Sequence, residues 1–156
     1  MVVLNVDKGW RKFGDNNVEL DGDAVANQKR AVYLQVVPAL LVPLKGKDFK
    51  VDSATEEKVG EKPAVVVKAT GPDGKDFTLF FNKESGLLMK MVAKVVGMQG
   101  EEFTQETTFD NYKDFGGTKQ ATKLSSKRDG EKFLDVEVSE FKILDKADAK
   151  AFSQPD

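Results

Sequence analysis

Acidic and amide side chains alternate at Asp15, Asn17, Glu19, Asp21 and Asp23, a spacing that could gather oxygens around a hard cation such as calcium. A calcium-binding EF-hand loop needs glycine at its sixth position and glutamate at its twelfth. Counted from Asp15, those places hold Leu20 and Ala26. The run therefore reads as a solvated loop in which Asp21 or Asp23 caps a helix. Ser139 and Lys142 match the spacing of a serine nucleophile with a lysine base, but that spacing brings two side chains together on a helix and parts them on a strand. The pairs Glu56-Glu57 and Glu101-Glu102 are sequence neighbours that point apart in extended chain, so neither offers the convergent carboxylates of a glycosidase. Gly71, Gly74, Gly97, Gly100, Gly116 and Gly117 lack the strand-to-helix context of a phosphate loop and belong to turns.

The 156 residues include no His and no Cys. Histidine acid–base catalysis, Ser-His-Asp and Cys-His nucleophiles, Cys/His zinc sites and disulfides are thereby excluded. No metal or cofactor is implied, and the chain reads as non-enzymatic. Lys and Arg number 24 against 26 Asp and Glu, a net charge of −2, and the only arginines are Arg11, Arg30 and Arg128. That balance argues against nucleic acid as a partner, because phosphate and base-edge recognition draws on arginine. Eleven Phe outweigh Trp10, Tyr33 and Tyr112, so the aromatic set suits a dry interior or the lining of an apolar cavity. No apolar run approaches the ~20 residues that cross a bilayer, since the run from Val36 to Leu44 is broken by Pro38 and Pro43. Met1 to Asp7 carry neither the basic start nor the apolar stretch of a secretory leader, so the chain as given reads as cytoplasmic, already processed or a fragment.

The elements that would position any site are mostly strands. Ala64 to Thr70 and Lys75 to Asn82 flank Gly71-Pro72-Asp73-Gly74, a turn sequence that predicts a hairpin. Further strands follow at Leu87 to Val96, Glu101 to Tyr112, Lys119 to Lys127 and Glu131 to Leu144, the last entered through the two-residue turn Asp129-Gly130. Nothing between them is long enough for a crossover helix, so the sheet is antiparallel. Period-two alternation puts Leu87, Met89, Met91, Ala93 and Val95 on one face and Leu88, Lys90, Val92, Lys94 and Val96 on the other. Phe141 and Ile143 fall out of phase with Leu134, Val136 and Val138, which predicts a β-bulge near Ser139-Glu140. One helix is expected from Asp23 to Val37, stopped by Pro38, and a shorter turn from Ala147 to Phe152.

The constellation with functional potential is apolar. Phe77, Leu79, Phe81, Leu87, Met89, Met91, Val95 and Phe103 from the strands, with Tyr33 on the helix stripe and Leu40 and Leu41 beyond it, either fill a core or line a groove for an apolar ligand.

Six short motifs stand out together: Asp7-Lys8-Gly9-Trp10, Pro38-Ala39-Leu40-Leu41 after the helix, Gly60 to Ala64 entering a strand, Phe80 to Leu88, Thr108 to Lys113, and the closing Lys146 to Pro155 with Phe152 and Pro155. In this order they resemble the LolA-like family of outer-membrane lipoprotein-sorting proteins. The resemblance implies a mainly β, α+β fold in which a curved antiparallel sheet forms an incomplete half-barrel against a helix. It covers 1–156 as a single domain, similar to the later two thirds of such a protein, and no Arg stands at the inward barrel position that helps those carriers control closure. It further implies a periplasmic or extracytoplasmic carrier of a lipid or lipoprotein acyl chain, with contact to a membrane surface. The alternative is a structural or protein-interaction module with a filled core. The sheet is expected to hold roughly seven to nine strands. With the family's earlier strands absent, the strand carrying Trp10 becomes an edge that invites self-association.

Overall fold

A computed structural model describes residues 1–52, 54–97, 99–142, 144, 146 and 148–155. The described residues are mainly β, with one α-helix, and every strand pairing is antiparallel. Among the described residues, no helix is long and apolar enough to cross a membrane. The chain forms two compact units, Met1–Tyr33 with Lys142–Asp156, and Leu34–Phe141. The boundary falls inside the helix.

The first unit holds a three-stranded sheet of β1 (Val2–Asn5), β2 (Lys8–Phe13) and β3 (Asn16–Glu19), with β2 in the middle. Trp10 stands opposite Val3 on one side and Glu19 on the other. The expected Trp10 edge is thus corrected: its strand is interior, and self-association through it has no open ladder to use. Asn16–Glu19 is a strand where the sequence predicts a solvated loop, because ladder formation uses backbone groups and this segment has only Val18 as an apolar residue. Gly9 lets β2 approach closely, since a methyl group there would meet Leu4 Cδ2 at 2.9 Å, Leu20 Cδ1 at 3.0 Å and Val25 Cγ2 at 3.3 Å. Asp21 is the helix cap, its carboxylate accepting from Ala24 N at 2.8 Å. At the other end of the chain, the short turn is a 3-10 turn over Ala149–Phe152, beside β1, with Asp148 accepting from Lys150 N at 3.0 Å. Ala147, where that turn was expected to begin, lies outside the described residues. The Asn17 amide donates to Pro155 O.

Helix α1 spans Gly22–Leu40 and enters the second unit at Leu34. It passes its expected stop at Val37 because Pro38 sits in the last turn, where its missing N–H forfeits one bond while Leu41 N still reaches Val37 O at 2.8 Å. Val37 is fully buried, which holds that turn in place. Leu41 then ends the helix in the left-handed region, at φ 56°.

The second unit is an open eight-stranded sheet with no closed barrel. Its strands are β4 (Lys50–Val51), β5 (Thr55–Val59), β6 (Lys62–Thr70), β7 (Asp76–Asn82), β8 (Leu88–Val96), β9 (Glu102–Phe115), β10 (Thr118–Arg128) and β11 (Glu131–Glu137). They run in the order β11-β10-β9-β8-β7-β6-β4, with β5 also on β6. The predicted turns form: Gly74 takes φ 74°, and Asp129 and Gly130 take 47° and 87°, the positive pair that a two-residue hairpin requires.

Two strand expectations change. The β7–β8 register shifts so that Phe80 opposes Lys90 but Phe81 opposes Leu88, which makes Met89 a bulge residue. Leu88 joins the face of Phe77, Leu79, Met91 and Ala93, whereas the Asn82 amide lies 3.7 Å from the Met89 sulfur, away from it. Strict alternation through Leu87 and Met89 therefore fails, because one inserted residue inverts every side chain beyond it. The last strand ends at Glu137 rather than at Leu144, and the irregularity in its pairing falls between Ser126 and Lys127 instead of near Ser139-Glu140. Phe141 is out of phase because it has left the sheet to pack on Phe115, ring centroids 5.8 Å apart. Ile143 lies outside the described residues.

One face of β6–β8 is packed core. Phe77, Leu79, Met91 and Ala93 are buried, and Phe49 meets Phe77 edge-on at 6.2 Å. The opposite face carries Lys68–Asp76, Lys90–Glu106 and Lys94–Glu102 ion pairs at 2.8, 3.4 and 2.9 Å. Lys90 also covers the Phe80 ring, 4.4 Å from its centroid, so a lysine stem dries an aromatic ring on the polar side.

Candidate functional site

A half-open cavity of about 180 Å³ lies within the second unit. Four segments build it. Pro38 and Ala39 come from the helix end, with Gln35 a turn earlier; Phe109 and Tyr112 from β9; Gln120, Ala121 and Leu124 from β10; Val138 and Phe141 from the chain just after β11.

Each wall is fixed by a specific bond. Gln120 donates from Nε2 to Ala39 O at 2.7 Å, tying β10 to the helix end. Asn111 takes a left-handed φ of 52°, a conformation that Asn tolerates better than most residues. Its carbonyl accepts from the buried Thr122 hydroxyl at 2.6 Å. Just beyond this kink, the Tyr112 hydroxyl donates to Leu88 O at 2.8 Å. The fourth wall is held by Val138 N, which donates to Thr122 O at 2.8 Å, and by the Phe115–Phe141 contact. Nearby, the buried Thr107 and Ser126 hydroxyls bond one another at 2.9 Å, so these interior polar groups of β9 and β10 are satisfied.

The lining is uncharged. Its one titratable group, the Tyr112 phenol, is pushed up to about 12 by burial and stays protonated at neutral pH. With no ionised group in the lining, the cavity offers apolar contact and a few neutral hydrogen-bonding atoms. That chemistry suits binding rather than bond cleavage.

None of the expected lining residues lines this cavity. Phe77, Leu79 and Met91 are brought together as buried core; Phe81, Leu87, Val95 and Phe103 are half-buried, with Val95 directly opposite Phe103. Met89 is the bulge residue, and Leu40 and Leu41 are exposed beside the helix end. Tyr33 belongs to the first unit, where its hydroxyl accepts from the buried Arg30. The cavity residues had one visible signal in the sequence, the phase break at Phe141. The others come from segments whose meeting depends on topology.

No protein-family model and no curated protein matches the sequence. The fold, by contrast, has solved relatives. A LolA superfamily protein from Nitrosomonas europaea superposes with a TM-score of 0.60 at 12% identity, over 97% of this chain and 69% of the other. A structure from Vibrio parahaemolyticus, described as an outer membrane lipoprotein-sorting protein domain, superposes with a TM-score of 0.56 at 10% identity, over 96% of this chain and 65% of the other. This chain thus spans about two thirds of their length. At these identities the likeness is one of fold.

Proposed function

We propose that this chain, whose fold is LolA-like, is a non-catalytic binding or carrier protein for an apolar ligand such as a lipid or lipoprotein acyl chain. The observation that carries the proposal is the half-open, uncharged cavity between the helix end, β9, β10 and the chain after β11. The expected lining residues on β7 and β8 serve in this reading as the packed support behind the cavity wall, since Leu88, on the Met91 face, carries the carbonyl that Tyr112 binds. Lipoprotein sorting is what the Vibrio relative is described as doing, and an extracytoplasmic location with contact to a membrane surface follows for this chain only on the same proposal.

The test is mass spectrometry of the organic extract of the purified native protein. A stoichiometric lipid or acyl species is the expected result. Protein that carries none, and that takes up none from a lipid extract, favours the rival reading of a structural or interaction module.

A further inference from the structure

We propose that the cavity accepts a single short apolar chain, or one ring, bearing an uncharged polar head, and gains nothing from the second or third acyl chain of a membrane lipid. This rests on the binding reading above and narrows its ligand class.

Volume sets the first limit. The cavity holds about 180 Å³. An apolar protein cavity of roughly 150 Å³ takes up one benzene ring. Pockets for drug-sized ligands begin near about 300 Å³. One ring with a short branch, or one chain segment, therefore fills this space, and a second chain would be left outside it at the open mouth. The walls that would have to part are the bonded ones: Gln120 to Ala39, Tyr112 to Leu88, and Val138 to Thr122.

Charge sets the second limit. A carboxylate or ammonium drawn to this lining would be partly desolvated without a counter-ion. At the rim, the side-chain amide of Gln35 is exposed and makes no hydrogen bond to another described residue, so it can both donate and accept. Of the deeper polar groups, Gln120 already spends a hydrogen on Ala39 O and Tyr112 spends its own on Leu88 O. A hydroxyl, ester or amide can exchange hydrogen bonds with Gln35 and still enter the neutral lining, whereas a charged head drawn in behind it loses water and meets no counter-ion.

The experiment is a titration of the intact protein with 1-octanol, octanoate and 1,2-dioctanoylglycerol, read by backbone amide shifts at Ala39 and Ala121. Octanol is expected to saturate one site, octanoate to bind about tenfold more weakly for want of a counter-ion, and dioctanoylglycerol to bind no more tightly than octanol. The octanol affinity is expected to be unchanged by added salt, because no charge pair is formed. Ala121→Leu, or Val138→Leu should that variant not fold, fills the space and abolishes the octanol shifts.

A clear preference for dioctanoylglycerol at the same residues would overturn this inference and leave the binding reading standing. Octanoate binding as tight as octanol would overturn the head-group rule, and octanol binding retained by the folded, filled variant would overturn the assignment to this cavity. Silence from all three probes would overturn both proposals.

Discussion

Tyr112 joins the cavity to the core through one hydroxyl. Burial disfavours its phenolate and pushes the phenol up to about 12, above the ordinary value of 10.0. The unfolded chain then loses this proton first as pH rises. Tyr112 is expected to leave stability independent of pH below pH 10 and to make it fall between about pH 10 and 12. Tyr112→Phe removes that share of the alkaline loss, and costs about 1 kcal/mol at neutral pH through the missing bond to Leu88 O. Denaturant titrations of both proteins at neutral and alkaline pH check both effects. Met89 and Met91 give a second contrast. Met91→Ala opens a hole in packed core and is expected to cost ~2–5 kcal/mol, whereas Met89→Ala at the bulge should cost about 1 kcal/mol or less. Equal midpoint shifts in denaturant would contradict this division of roles.

Asn111 shows how an element positions a site. Its left-handed φ falls within β9, immediately before Tyr112. Asn111→Gly should be tolerated, while Asn111→Val should cost about 1–2 kcal/mol, since a β-branched residue is strained there. Thermal melts of the two variants separate these outcomes. The same element shows where sequence runs short. The turns were legible at Gly71 to Gly74 and Asp129-Gly130, because their residue types specify backbone conformation locally. The bulge at Met89 was not, because an inserted residue changes parity without changing composition. Nor was β3, whose Asn16 to Glu19 pair through backbone rather than through an apolar face. Phase mismatch at Phe141 was visible, but it marked a departure from the sheet and not a bulge within it. The cavity stayed hidden for a related reason: its residues share no local pattern and meet only through the β9–β10 hairpin, the helix end and the chain after β11.

At the scale of the molecule, the proposal that 1–156 act as one domain rests on α1, a continuous helix that crosses from the first compact unit into the second. Neither unit retains the whole helix without the other, so unfolding is expected to be a single transition. Trp10, buried in the first unit, reports that unit by fluorescence, while the backbone amide shifts of Leu79 and Ala121 report the second. Coincident curves would support one domain, and separated midpoints would divide it.

Occupancy of the cavity bounded by Ala39, Tyr112, Ala121 and Phe141 by an apolar ligand can be read by fluorescence titration of an uncharged single-chain probe, N-octyl dansylamide, into the parent protein and into folded Ala121→Leu. Saturable binding at one site in the parent, lost in the filled variant at unchanged fold, is the predicted result. Equal binding by both proteins, or binding by neither, would contradict the claim.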